Sequence, residues 1–307
     1  MTVSAEIDVW EKFCQLLKDG VDLETALHRV AASEELTSRI VRATWTLINY
    51  EDNEIFLWSL QNNAMFPLGH LVDHMFKSSL KIINIVTTNY DRLAEYACDQ
   101  GRIHHYTGFT HGFLRQLAAP TEVTTARRVN IWKVHGSLDW FQSSLDETIA
   151  ISNIQEIPDG YKPQIVTPGA QKYQKTHSEP FRSIINNADL ALNGAGSYLC
   201  IGYGFNDEHI QPKLMVKCLR QSTPITIITR TLSDSAKRLI LDGRANNYLA
   251  IERGATDDQS IVYSSLAKEL LKVDANIWSL EGAESIIKCN TQPVRYRDGQ
   301  ALRTTHG

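Results

Sequence analysis

Residues 81–91 read Lys-Ile-Ile-Asn-Ile-Val-Thr-Thr-Asn-Tyr-Asp. Ile82 to Thr88 is a short, apolar, β-branched run, the signature of a buried parallel strand. It delivers an amide, Asn89, and a carboxylate, Asp91, where the strand hands over to a helix predicted from Asp91 to Gln100 and closed by Gly101. The same two residues also suit a simple helix start, with Asn89 as N-cap and Asp91 in the first turn.

Working outward, further β-branched runs follow at Val129–Val134, Gln164–Thr167, Tyr198–Tyr203, Pro224–Thr229 and Tyr248–Glu252. Helical spacing fills Pro180–Leu192, Glu208–Arg220, Ser233–Leu241 and Asp258–Leu271. Strands alternating with helices predict an α/β fold, a Rossmann-like, mainly parallel sheet with helices on both faces. On the amino side the pattern is helical: Ile7–Leu17 closed by Asp19-Gly20, a helix from Asp22 through Val30, another from Ser33 to Tyr50, then Glu54–Leu60 and Leu68–Leu80. The expected organisation is a helical region over 1–80, a core over 81–275 and a C-terminal extension over 276–307, whose tail from Thr291 reads as a frayed end.

Composition excludes several classes. Of 307 residues, 43% are hydrophobic and 21% charged, and the formal charge is −4, so the chain has no basic footprint for nucleic acid or an acidic membrane surface. No apolar run is long enough to span a bilayer, and the five cysteines include no C-x-x-C pair, which argues against a structural zinc module and fits a reducing cytoplasm. His104, His105, His111 and His177 match no closed zinc spacing and read as surface or loop residues.

In such sheets ligands bind at the carboxyl ends of the strands. Three loops there carry chemistry. Thr88-Asn89-Tyr90-Asp91 is the first. The second is His135-Gly136-Ser137, a histidine suited to act as a general base beside a glycine that permits close approach, or equally a hydrogen-bonded loop histidine. The third is Gly202-Tyr203-Gly204-Phe205-Asn206-Asp207, whose backbone N–H groups could face a phosphate or ribose hydroxyl; its plainer reading is a tight turn with Asp207 capping the next helix. Trp132, Trp140 and Phe141 near His135 suit either a ligand pocket or the core.

Taken in order, T-T-N-Y-D, K-V-H-G-S-L-D-W, T-P-G-A-Q-K-Y and I-G-Y-G-F-N-D-E-H-I resemble the sirtuin-like family of bacterial antiphage defence, some members of which partner a HerA-type ATPase. The resemblance covers roughly residues 80 to 255, and residues 1–80 resemble that family's helical insertion. It implies NAD as substrate, Asn89 and His135 as catalytic residues, and Asp91 ordering Asn89 or the nicotinamide pocket. Thr88 and the turn Gly202, Tyr203, Gly204 and Phe205 would lie along the ribose and phosphates. Thr229 and Arg230, at the next strand end, would reach the adenosine ribose. A homo-oligomer is expected. Without a four-cysteine zinc module, lysine deacylation is the weakest reading; NAD hydrolysis is the first, and a non-catalytic NAD- or ADP-ribose-binding or scaffold subunit the second. The chemistry agrees, since cleaving the nicotinamide–ribose bond needs hydrogen bonds to ribose hydroxyls, modest base help and fixed dipoles, with no metal.

One departure stands out. Family members open on a strand and a Gly-Ala-Gly-x-Ser loop that cradles the pyrophosphate, whereas here residues 1–80 read as helices. Gly194-Ala195-Gly196-Ser197 follows a helix and precedes a strand, so it reads as a helix C-cap and turn. The expectation is either a missing true N-terminus or a reduced homologue, with weak NAD binding by the 307-residue chain.

Overall fold

The computed structural model describes residues 3–21, 26, 29–30, 33–120, 127–166, 178–207, 210–242, 245–267, 269–289, 296–297 and 300–301. The chain divides into two compact units, Met1–Ala191 and Leu192–Gly307.

In the first unit, α1 (Val3–Lys18) ends before Gly20, whose φ of +79° turns the chain. α2 (Glu34–Gln61) starts at an N-cap, Ser33, whose hydroxyl accepts from the Leu36 N–H at 3.1 Å. Sequence spacing predicts separate helices at 33–50 and 54–60. They are one, because no Gly or Pro interrupts residues 34–61. The helix predicted over 22–30 falls largely outside the described residues. α3 (Pro67–Phe76) has proline at its start, where the missing N–H costs nothing.

β1 (Ile82–Thr87) pairs in parallel with β4 (Arg128–Lys133), which pairs in parallel with the short β2 (His105–Tyr106). Ile83, Val129 and Ile131 pack with Val72 and Phe76 of α3 and Cys98 of α4 (Leu93–Gln100), forming one apolar cluster. The alternating positions carry a polar ladder: Asn130 Nδ2 and Trp132 Nε1 both donate to Asn84 Oδ1, at 3.0 and 3.1 Å.

A second sheet of this unit runs in the order β3 (Leu114–Gln116), β6 (Thr148–Ile151), β5 (Gly136–Gln142), β7 (Lys162–Ile165), all pairs antiparallel. Three sequence expectations change here. Residues 136–142 form a strand, the run predicted over 164–167 joins this antiparallel sheet, and the parallel strands expected in one sheet divide between two, β1–β4–β2 and a second that holds residues 198–201, 225–229 and 248–253. A short apolar run does not encode the direction of its neighbour, and Pro163 sits comfortably because β7 is an edge strand. α2 covers this sheet through Val41 and Trp45, which pack with Leu138, Phe141 and Ile165; the Trp45 indole N–H donates to the Leu138 carbonyl at 2.7 Å.

In the second unit, β8 (Tyr198–Ile201), β9 (Ile225–Thr229) and β10 (Tyr248–Arg253) are parallel. Cys200, Ile227 and Ala250 stand side by side. α5 (Phe181–Gly194) crosses into this unit and ends at Gly194, in agreement with the turn reading of Gly194–Ser197. α6 (Gln211–Arg220) and α7 (Asp234–Ile240) make the crossovers, burying Leu214, Cys218, Ala236 and Leu239. The helix predicted over 258–271 is instead two antiparallel strands, β11 (Ser260–Ser264) and β12 (Leu271–Val273), added to the β10 edge. Ser260 and Val262 point inward, so the period is two, and β-branched Ile261 and Val262 favour extended backbone. α8 (Leu280–Cys289) follows; the tail from Thr291 lies almost wholly outside the described residues. The architecture is mixed α/β, with parallel strands, crossover helices and an N-terminal helical region.

Two expectations follow from the packing of the first unit. Trp45→Ala removes a side chain only 1% exposed together with its bond to Leu138, and should cost about 3–5 kcal/mol in urea unfolding. Asp139, buried, forms an ion pair with Arg115. Burial works to raise its carboxyl, but Arg115, Lys133 and the Ser137 hydroxyl outweigh it and hold it below the ordinary 3.8. A folded value below the unfolded one gives stability that is complete above 3.8 and is lost as pH falls through the depressed value. Asp139→Asn should therefore unfold at a lower temperature than the wild type at pH 7. The difference should shrink as pH drops from about 4 toward 2, and thermal melts across that range read it directly.

Candidate active site

β1 and β4 are in register, Thr87 beside Lys133. Asn89 and His135 each lie two residues beyond that pair, so parallel pairing alone sets them level at the carboxyl edge. Backbone bonds carry the pairing into the loops: the Val134 N–H donates to the Thr87 carbonyl and the Leu138 N–H to the Tyr90 carbonyl, each at 3.1 Å. The Tyr90 hydroxyl donates to the Val166 carbonyl at 2.6 Å, and the Val166 N–H to the His135 carbonyl at 2.8 Å. The turn carrying His135 admits only glycine at the next position. Gly136 has φ +94°, and a Cβ there would stand 2.0 Å from the Gln164 carbonyl oxygen.

Asn89 is not a helix N-cap. α4 begins at Leu93, four residues later, and Asp91 takes the local role, accepting from the Leu93 N–H at 3.2 Å. Asn89 is left exposed on the loop, its backbone N–H donating to Thr87 Oγ1 at 3.1 Å and its amide making no hydrogen bond to the described residues. That is the state of a group available to a ligand. Thr88 and His135 are half-buried beside it. Of the neighbouring aromatics, Trp140 and Phe141 are fully buried, against Phe109 and Phe181 and against Trp45, and Trp132 faces Tyr106. All three are core residues.

Beneath the two loops runs a string of buried charges that sequence reading missed. Lys133, 0% exposed, ends β4; its ammonium donates to Glu95 at 2.8 Å, to Ser137 Oγ at 3.1 Å, and to the backbone carbonyls of Asp91 and, at 3.4 Å, Tyr90. Burial pushes the Glu95 carboxyl up, and Lys133 offsets this only in part. On the other side, the Arg92 guanidinium is held by Asp52 of α2 at 2.7 Å and by Asn49 and Asn53, each at 3.0 Å; the Arg92 backbone N–H also donates to Asp52. Burial works against the charged Arg92, but Asp52, Tyr96 and Asp139 outweigh it and raise its affinity for the proton. The available signal was Lys133 itself, a charge inside the apolar run V-N-I-W-K-V, which is tolerated only when paired.

Among the second unit's predicted residues, Gly202 has φ +60° and open space where a Cβ would stand, while the buried Phe205 has φ +57° and packs against Tyr203 with ring centroids 4.8 Å apart and planes tilted by 53°. A buried aromatic in the left-handed region is strained and is held by its surroundings. The turn is tied to the next strand end: Ser233, N-cap of α7, donates to the Gly204 carbonyl at 2.6 Å, and Ser235 to Asn206 Oδ1 at 3.3 Å. Asp207 accepts from the Ile210 N–H at 3.0 Å, as a capping residue does, ahead of a helix that starts at Gln211. Thr229 ends β9, and Arg230 lines an open cleft of about 520 Å³ with Asp257, Asn276, Trp278, Ser279 and Glu281. Glu208 and His209, the T-P-G-A-Q-K-Y motif and His177 lie outside the described residues. Among the described residues no group of three His, Cys, Asp or Glu could hold a metal ion; His105 instead lies 3.3 Å from Asp99.

No curated protein matches the chain. Among solved structures, one described as "Structural Basis for the Mechanism and Regulation of Sir2 Enzymes" is 13% identical with a TM-score of 0.39, covering 80% of this chain and 78% of its own. A model of the SIR2-like domain matches residues 83–241, from β1 through the second crossover helix of the second unit and so across both strand-end loop clusters. Since that match takes in just over half of the residues, the chain belongs to the SIR2-like domain family.

Proposed function

We propose that this protein is an NAD glycohydrolase that cleaves NAD with water into nicotinamide and ADP-ribose, and that it serves as an effector of bacterial antiphage defence. The observation that carries the reading is the level placement of the exposed Asn89 and the half-buried His135 at the edge of paired parallel strands, in a chain of a family named for NAD-dependent Sir2 chemistry. His135 takes the proton of a ribose hydroxyl or of the attacking water, and the Asn89 amide orients that water. Asp91 acts at one remove, fixing the loop through Leu93. The glycosidic C–N bond breaks, the water oxygen bonds to the ribose carbon, and nicotinamide leaves with the bonding pair.

In the second unit, the open turn Gly202–Phe205 suits the ribose and phosphates, with Gly202 leaving room for close approach. Thr229 and Arg230 receive the adenosine end, where Trp278 offers a flat face. A HerA-type ATPase and further copies of this chain are the proposed partners. Peptide deacylation is disfavoured by the cysteine spacing.

The test is chromatographic quantification of nicotinamide and ADP-ribose after incubating the protein with millimolar NAD. His135→Ala and Asn89→Ala should each slow release by about 10²–10⁴-fold, the loss typical of a positioned acid–base group. Their melting temperatures should stay close to wild type, because both residues sit on a ligand-facing loop. Undiminished turnover in His135→Ala sinks the mechanism. A wild type that binds ADP-ribose yet releases no nicotinamide would fit the non-catalytic subunit instead. Arg230→Ala should weaken NAD binding about tenfold, the loss of one hydrogen bond to a charged group, and retained affinity would remove it from the site.

A further inference from the structure

Lys133 is neither a predicted site residue nor part of the chemistry above, yet it is the most thoroughly enclosed charge among the described residues, with 0% exposure. Its contacts are distributed in an informative way. Glu95 lies on α4, Ser137 on β5, and the carbonyls of Tyr90 and Asp91 belong to the loop that presents Asn89. Glu95 neutralises the buried charge, but an ammonium has three N–H groups, and those that Glu95 does not take need acceptors of their own. Here the acceptors are Ser137 and two loop carbonyls, so the bonds that make the buried ammonium tolerable also hold the loop in a fixed position. The Tyr90 and Asp91 carbonyls belong to the second and third peptide units after Asn89, so an ammonium holding both fixes the chain just past Asn89 and with it the direction in which the loop leaves the strand. Ser137 stands two residues after His135, so the same ammonium also fixes the turn on the other side. The Leu138 N–H bond to the Tyr90 carbonyl then closes a ring through both loops.

We infer that Lys133 is a positioning residue, a buried cation that sets the Asn89 loop against the His135 turn and so fixes the spacing of the two groups that act on the ribose. This rests on the NAD-cleaving reading for its catalytic consequence, and on the contacts alone for its structural part. The neutral, similarly long side chain of methionine fills the space without donating. With Lys133 gone, the Glu95 carboxyl would remain buried without its partner, so the informative variant is Lys133→Met combined with Glu95→Gln, with Glu95→Gln alone as control.

Two readouts separate positioning from mere packing. Hydrogen exchange followed by mass spectrometry should show residues 88–93 and 134–139 of the double variant exchanging about tenfold faster or more, with β8, β9 and β10 unchanged. In the NAD assay, kcat should fall about 10²-fold, the scale of a small misplacement of reacting groups, while KM stays within about threefold. Glu95→Gln alone should lower the melting temperature, because it takes the counterion from the buried ammonium. Its amide oxygen can still accept from Lys133, which keeps its carbonyls, and its folded fraction should retain kcat within about tenfold. Unchanged exchange in both loops of the folded double variant overturns the inference, as does uniform loosening of the whole chain or a loss confined to KM. If the wild type releases no nicotinamide, the glycohydrolase reading fails, and the exchange pattern alone still decides whether Lys133 positions the loops.

Discussion

Everything at the carboxyl edge of β1 and β4 depends on how the first unit accommodates buried charge. Asp52, Arg92, Glu95, Lys133, Asp139 and Arg115 alternate in sign, three of each, and form three ion pairs. A lone buried ammonium or carboxylate is costly by several kcal/mol even after relaxation, so each of these groups is tolerable only because its partner is there. The partners come from α2, α4, β3, β4 and β5. The charges therefore do what an apolar core does poorly: they specify which elements meet, in which register, and which backbone carbonyls face inward. Leucine at position 133 would pack more cheaply, but it would leave the Asp91 carbonyl without its donor and the Asn89 loop without a fixed direction.

That division of labour explains what could be read in the sequence. The α/β class was legible because β1, β4, β8, β9 and β10 are short β-branched runs between amphipathic helices, and period and composition are local properties. The motif loops were legible as strand-end loops for the same reason. Strand direction was not, as β7 shows: Lys-Pro-Gln-Ile looks the same whether its neighbour runs up or down. The stretch 258–271 misled through its mixture of charged residues with apolar ones at spacings that satisfy a helix, when the stronger cue was the β-branched pair Ile261–Val262.

The candidate site was legible in part, and the boundary is physical. Asn89, His135 and Gly202 could be named because they are local exceptions, polar groups or glycines where a strand ends. Gly136 was quoted for close approach, and the close approach is to the Gln164 carbonyl of its own chain rather than to a ligand. The alternative reading of Asn89 as an N-cap depended on where α4 begins, and this is settled by Arg92. Its guanidinium and its backbone N–H are both claimed by Asp52, forty residues away, which delays the helix to Leu93. No local pattern encodes a partner at that distance.

The same contact changes how the helical region over 1–80 is understood. α2 is more than an appended cover, because Asn49, Asp52 and Asn53 point from one of its faces into the charge string and the Trp45 indole reaches Leu138. The N-Y-D loop is thus held from two sides, by Lys133 from β4 and through Arg92 by α2. The two holds grip the turn on either side of Tyr90–Asp91, so that the exposed Asn89 side chain projects from a turn fixed at both ends. A force that moved α2 would reach the Asn89 loop by two routes, through Arg92 and through Trp45, Leu138 and the Tyr90 carbonyl. The route from α2 to the candidate site is therefore short, with a polar arm through Asn49, Asp52, Asn53 and Arg92 and an aromatic arm through Trp45 and Tyr90.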